Sequence, residues 1–313
     1  MKPALSIIVP VYNSESSLRP LIARLKPVLD SIATSYELIL VNDGSRDGSW
    51  RVVQELASAH AWIRGLNLLR NYGQHNAILC GIRLARHEIV VTMDDDLQHP
   101  PEEIAKLLAA LESGADVVYG TPERESHGFL RNVASQVTKL ALQKAMGAQT
   151  ARSVSAFRVF RTYLRDGFAD FGGQFVSIDV LLTWSTTRFT AVRVRHDKRA
   201  SGESNYTYRK LLTHALNMIT GFSVLPLQVA SIMGFVLTAF GLVVAGYVIY
   251  ARIVNDVVVP GYTSLAALIA VFSGAQLFAL GILGEYLARV HFRMMDRPTY
   301  AVRGTTSDDR KDS

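Results

Sequence analysis

The sequence predicts an α/β domain on a mostly parallel sheet, followed by interfacial helices and two C-terminal transmembrane helices. Three observations predict it. Short β-branched runs alternate with helix-spaced segments between Leu5 and about Glu103. Polar clusters recur directly behind those runs. Two long stretches in the last third of the chain carry no Asp, Glu, Lys or Arg.

Residues 5 to 11, "LSIIVPV", are short, apolar and closed by a turn signal, as expected of a buried strand. Leu18, Leu21, Ile22, Leu25, Val28 and Leu29 then fall on one helical face, so residues 14 to 33 read as a helix. "YELILVN" gives a second strand ending at Asp43-Gly44-Ser45, and 47 to 59 a second helix. "IRGLNLL", residues 75 to 86 and "EIVVTMD" continue as strand, helix and strand. "HPPEE" then opens a helix, with proline in its first turn and acids matching the helix dipole. Alternation of this kind means parallel strands with helices on both faces. Ligands of such sheets sit beyond the carboxyl ends of the strands. Tyr12-Asn13, Asn42-Asp43, Arg70-Asn71 and Asp94-Asp95-Asp96 all fall there.

The character changes after about residue 210. No charged residue occurs between Lys210 and Arg252, nor from Val257 to Gly284. A hydrocarbon core needs about 20 apolar residues per helix, which 225 to 251 and 262 to 284 each supply. Arg209 and Lys210 precede the first span, and Arg289, Arg293 and Arg297 follow the second. By the positive-inside rule both ends face the cytosol and the loop near Asn255 faces outward. The stretches 129 to 147 and 206 to 222 mix cations with apolar residues and read as helices lying in the membrane interface. The resulting plan is a cytosolic catalytic domain (1–205), a juxtamembrane amphipathic helix (206–224), a transmembrane hairpin (225–284) and a cytosolic C-terminal tail (285–313). The tail from Thr305 onward is polar and expected to be disordered.

Bulk composition narrows the function. The chain is 49% hydrophobic and 19% charged, which suits membrane contact. Its +6 charge lacks a Lys/Arg block with interleaved aromatics, so an anionic lipid surface or a phosphorylated substrate is expected and nucleic acid is not. Cys80 is the single cysteine, so no intramolecular disulfide can form. The first residues carry no signal-peptide pattern, and the N-terminus is expected to stay in the cytosol. Two spans without central charges build no transport pathway.

Three adjacent carboxylates persist cheaply only if solvated or sharing a cation. At the end of a strand, residues i and i+2 point the same way, so Asp94 and Asp96 can converge while Asp95 points elsewhere. Two hard oxygens suit Mg²⁺ or Mn²⁺ in the presence of substrate phosphates, and Gln98 can add a neutral oxygen.

"SIIVPVYNSESSL", "LILVNDGSRDGSW", "RNYGQHNAILCGI", "DDDLQHPPEEI", "GESNYTYRKLLTHAL" and "GILGEYLARVHFRMMDRPTY" together resemble the family 2 glycosyltransferases of the GT-A fold. The resemblance runs in motif order from Leu5 to about Tyr300. Its branch is that of the polyprenyl-phosphate glycosyltransferases, such as dolichol-phosphate mannose synthase, bactoprenol glucosyltransferase and undecaprenyl-phosphate aminoarabinose transferase. "RNYGQH" and the two-span tail are most similar to the last of these.

That resemblance implies inverting transfer of a sugar from a nucleotide-diphosphate sugar, with UDP the first expectation, to undecaprenyl phosphate. The product would be a lipid-linked sugar for cell-envelope glycan modification, made at the inner membrane. It assigns Pro10, Tyr12, Asn13 and Glu15 to the nucleotide-binding first loop and Asp43 to the base. Asp94, Asp95, Asp96 and Gln98 are assigned to the donor diphosphate, with Asp94, Asp96 and Gln98 on the metal. Arg124 and Arg131 fall near the acceptor-phosphate arginines and, with Asp96, are the implied catalytic residues. Arg199, Ser204 and Tyr206 match a segment closing over the donor phosphates. Fixed guanidinium groups and a divalent ion would stabilise a leaving diphosphate. A tetramer is also implied.

Some positions depart from the pattern: Ser153 and Ser155 stand where an acid and a glycine are usual, the spacing around Arg124 differs, and Asn205 replaces a common lysine. Two alternatives remain, a processive polysaccharide synthase and a non-catalytic membrane-tethered partner subunit. The chain has no Gln-x-x-Arg-Trp motif of the first, and its intact Asp-x-Asp-x-Gln argues against the second.

Overall fold

The β-branched runs become neighbouring strands in the computed structural model, which describes residues 2–122, 153–173, 176–197, 225–255, 261–295 and 297–306. β1 (Ala4–Val11), β2 (Ser35–Asn42), β3 (Ile63–Leu68) and β4 (Ile89–Thr92) alternate with α1 (Leu18–Ile32), α2 (Ser49–Ala59) and α3 (Gln74–Leu84). A 3₁₀ turn (Pro101–Glu103) leads into α4 (Ile104–Glu112), followed by β5 (Val117–Pro122), β6 (Arg158–Arg161), a 3₁₀ segment (Thr162–Phe168), α5 (Ile178–Ser185) and β7 (Phe189–Val194). The sheet closes with β8 (Val302–Thr305), giving the order β7-β5-β6-β4-β1-β2-β3-β8.

β1 runs parallel to β2 and β4, β2 to β3, and β5 to β7. The register places Val11 beside Asn42, and Ile8 beside Thr92, so the C-terminal ends of β1, β2 and β4 open at one edge. Successive side chains point to opposite faces. Leu5, Ile7 and Val9 join the core built with α1, α2 and α4. Ile8 presses instead against Gly81 of α3, where an added Cβ would stand 2.4 Å from its Cγ2. Both faces are covered, which explains why the central strands read as continuous apolar runs.

Two strands depart from simple alternation. β6 is antiparallel to β4 and β5, and β8 is antiparallel to β3. β8 corrects the expected disorder at the first two residues of the tail: Thr305 pairs with Leu66, and Thr306 is buried, exchanging hydrogen bonds with Gly65, while 307–313 lie outside the described residues. The segment ahead of it is fixed as well. Asn76 donates to the carbonyl of Thr299 at 2.7 Å, and Leu69 N–H to that of Ala301 at 2.9 Å. Polar composition hid this, because an edge strand satisfies its backbone rather than burying an apolar face.

The chain divides into two compact units, Met1–Leu212 with Asp296–Ser313, and Thr213–Met295. The second contains α6 (Leu225–Asn255) and α7 (Tyr262–Met294), which pack against each other, with Phe272 over Gly241. Leu227–Tyr247 and Val271–Ala288 are long and apolar enough to cross a membrane. Their large side chains, Phe235, Leu242, Leu277 and Phe278 among them, are exposed, as lipid contact would require. The expected interfacial helices at 129–147 and 206–222 lie outside the described residues.

Candidate active site

Four loops leave the C-terminal ends of β1 to β4, and side chains from each hold the next. Asn13 takes the left-handed conformation, φ 55°, which asparagine tolerates better than most residues. Its N–H donates to Ser45 Oγ at 3.0 Å, while its Oδ1 accepts from Arg46 N–H at 2.9 Å. Glu15 accepts from Gly48 N–H and from Arg51, both at 3.0 Å. Pro10 is buried in β1, whereas Tyr12 is 41% exposed at the mouth of the site. The first loop is thus bound to the second.

Asp43 is buried at the end of β2. Its carboxylate accepts from Tyr72 N–H at 2.7 Å and Gly73 N–H at 2.8 Å, ahead of α3. Burial raises its pKa, and these two bonds oppose the rise. Gly44, φ 64°, lets this turn pass the third loop, since a Cβ there would meet Arg70 and Asn71 backbone at 2.5 Å. Asp43 therefore shapes the loop in which Arg70 stacks on Tyr72, 4.7 Å from the ring centroid.

The acidic triplet is not strand. β4 ends at Thr92, and Asp94 to Leu97 form a bend in which Leu97 has φ 63°. Strand alternation thus does not set the directions of the carboxylates; local hydrogen bonds do. Asp96 Oδ1 accepts from Gln98 N–H at 3.1 Å, an Asx-type turn. Asp94 Oδ1 accepts from the side-chain amide of Gln74, in the first turn of α3. Asp95 turns back to the first loop, accepting from Tyr12 N–H at 3.4 Å and from the Ser14 hydroxyl. Burial pushes Asp95 up to about 6, with the charge of Asp96 adding to the rise. Its carboxylate joins two loops, which leaves Asp94, Asp96 and Gln98 as the oxygen donors on this bend.

His99 follows directly, buried and stacked on Phe157 at 5.3 Å, with His196 at 5.5 Å. Burial lowers its pKa to about 4, so the ring is neutral at neutral pH, and its Nδ1 accepts from the Asp94 N–H at 3.5 Å. Thr92 Oγ1 donates to Ala156 O at 2.7 Å, which brings the serine-bearing segment 153–157 alongside this bend. Beneath it, Arg158 is buried with Asp179 and Tyr119, whose hydroxyl donates to Asp179 at 3.0 Å.

Pro10, Tyr12, Asn13, Glu15, Asp43, Asp94, Asp95, Asp96 and Gln98 are thus gathered at one edge of the sheet. Arg124, Arg131, Arg199, Ser204 and Tyr206 lie outside the described residues. Gln74, Ser14 and His99 were not singled out from the sequence. Gln74 stands in the quoted "RNYGQH", but nothing in its spacing foretells contact with a residue twenty positions on. Among the described residues, no group of three or more His, Cys, Asp or Glu side chains is arranged to hold a metal alone. Two carboxylates and an amide oxygen still fit Mg²⁺ or Mn²⁺ when a bound diphosphate supplies further oxygens.

The model of glycosyl transferase family 2 matches residues 6–171. An undecaprenyl-phosphate 4-deoxy-4-formamido-L-arabinose transferase of Aeromonas hydrophila is 33% identical over 98% of this chain and 97% of its own length. The same-named protein of Proteus mirabilis is 33% identical over 95% and 92%. Among solved structures, glucosyl-3-phosphoglycerate synthase of Mycobacterium tuberculosis, in complex with Mn²⁺, UDP-glucose and phosphoglyceric acid, superposes with a TM-score of 0.50. It shares 18% identity over 70% of this chain and 78% of its own, a likeness of fold.

Proposed function

The chain belongs to glycosyl transferase family 2, and from that premise we propose that it transfers a sugar from a nucleotide-diphosphate sugar to undecaprenyl phosphate, with inversion, at the cytoplasmic face of a membrane. The observation that carries this reading is the Asp94–Gln98 bend, tied through Asp95 to the first loop and through Gln74 to α3. The sugar to test first is 4-deoxy-4-formamido-L-arabinose, the group named for relatives at 30–33% identity along most of this chain, and UDP is the carrier to offer it on first. The two candidate spans suit an enzyme whose acceptor is a membrane lipid.

In the reaction, an oxygen of the acceptor phosphate attacks the anomeric carbon as the bond to the donor diphosphate breaks. A single displacement inverts that carbon and releases the nucleoside diphosphate. The attacking oxygen is already anionic at neutral pH, so no strong general base is required. That agrees with Ser153 standing where the resemblance expects an acid. Asp94, Asp96 and Gln98 would hold Mg²⁺ or Mn²⁺, which when bound would stabilise charge on the leaving diphosphate. The protein's own part is preorganisation: Gln74 orients Asp94, the Gln98 N–H orients Asp96, and Asp95 fixes the bend to the loop after β1. Arg124 and Arg131 are proposed to meet the acceptor phosphate, and Arg199, Ser204 and Tyr206 the donor phosphates.

The test incubates membranes containing the protein with a panel of UDP- and GDP-sugars and undecaprenyl phosphate, and identifies the glycolipid by mass. A product from one donor establishes the reaction and the sugar together. No lipid-linked sugar from any donor would overturn the reading.

A further inference from the structure

The bend carrying Asp94, Asp96 and Gln98 is gripped at its far end by residues that the resemblance leaves unassigned. Asp197, just past β7, donates its N–H to the carbonyl of Gln98 at 3.0 Å. Glu102 stands in the turn that leads from the bend into α4. Arg24 of α1 reaches both. Its Nε and Nη2 donate to the two oxygens of Glu102 at 2.8 and 2.9 Å, and its Nη1 and Nη2 to Asp197 Oδ2, each at 3.1 Å. Arg195 adds a bond to Asp197 at 3.1 Å and lies 3.7 Å from Glu102.

Arg24 can do this because α1 is itself immobilised. Leu21 and Leu25 on either side of it are fully buried, so the guanidinium projects from a fixed stem. All three of its nitrogens are engaged across two carboxylates from separate elements. A planar fork meets both oxygens of Glu102, and Asp197 as well, at once; a lysine ammonium, a point charge, does not reproduce that bidentate geometry. The four side chains are between 30% and 57% exposed, so their contribution to global stability is small. What they fix is local geometry.

Resting on the transferase reading above, we propose that Arg24 is a positioning residue. By holding Glu102 and Asp197 together, it sets the conformation of the 94–98 bend that receives the donor diphosphate.

The test uses the full-length protein with Arg24→Gln, Arg24→Lys, Asp197→Asn and the Arg24→Gln/Asp197→Asn double variant. In ligand-free protein, amide hydrogen exchange across residues 94–99 should become on the order of tenfold faster in Arg24→Gln, with the melting temperature nearly unchanged. The donor KM should rise by about tenfold while the KM for the lipid acceptor stays constant. Arg24→Lys should resemble Arg24→Gln, and the double variant should be no worse than the stronger single one. Unchanged exchange at 94–99, full rescue by lysine, or donor and acceptor parameters falling together with the folded fraction would each overturn the proposal. Absence of any transfer by the wild-type protein would instead overturn the reaction, and the exchange measurement would still decide the role of Arg24.

Discussion

The side-chain amide of Gln74 donates to Oδ1 of Asp94, joining the first turn of α3 to the bend behind β4. A hydrogen bond to a charged group contributes about 1.5–3 kcal/mol. Gln74→Ala should raise the donor KM by roughly 10- to 100-fold without lowering the unfolding midpoint. Gln74→Glu should be worse, since it sets a second carboxylate against Asp94. Steady-state kinetics against donor concentration checks both, and equal kinetics in Gln74→Ala and wild type would show that the contact has no part in the site.

Metal dependence follows from the oxygen donors Asp94, Asp96 and Gln98. Chelation should stop transfer, and Asp96→Asn should lower kcat by roughly 10²-fold, the scale of losing one preorganised charge-stabilising group. Full activity in excess EDTA would refute the assignment.

Topology follows from the two charge-free stretches and their flanking cations. A reporter fused after Ser313 should be cytoplasmic, and a tag near Asn255 should be labelled only from outside. The reverse pattern is incompatible with a cytosolic nucleotide-sugar donor.

Acceptor and donor handling should separate at two arginines outside the described residues. Arg131→Ala should weaken use of the lipid on the order of 10- to 100-fold and leave donor affinity nearly intact. Arg199→Ala should weaken donor binding to a similar degree. Calorimetric donor titration of both variants decides; equal losses would place both guanidinium groups on the diphosphate.

The folded domain should lose stability in acid through Glu37. Burial alone would raise its pKa, but bonds from Ser6, Arg64 and the Arg86 N–H outweigh burial and hold it below the ordinary 4.5. A carboxylate depressed in the folded state stabilises fully above its unfolded pKa and ceases to do so as pH falls through the folded one. Thermal melts should therefore show Glu37→Gln less stable than wild type at pH 7, by about 1–3 kcal/mol, with the gap closing as pH falls below 4.5. A gap that persists unchanged in acid would contradict this.

Elements whose side chains report their burial were legible in the sequence. Ile7, Ile8 and Val9 lie on covered faces of a parallel strand, so an unbroken apolar run was the signal. The edge at which the described candidate residues gather was legible too, because the carboxyl ends of parallel strands in such sheets lie together. β8 was not: Val302 to Thr305 bond through backbone to β3, which leaves little trace in composition. Nor were the contacts that orient the acids. Gln74 and Asp94 meet across a loop, and Arg24 and Asp197 are brought together by tertiary structure alone.

The pairing of β8 with β3 has a consequence for biosynthesis. Residues 302–305 leave the ribosome after both long apolar helices, so until then the outer edge of β3 has unpaired N–H and C=O groups. An open strand edge is a template for pairing with other chains. The catalytic sheet is therefore completed last, once the apolar segments have been synthesised. A chain stopped before residue 296 would carry the acidic bend intact and yet present a sticky margin.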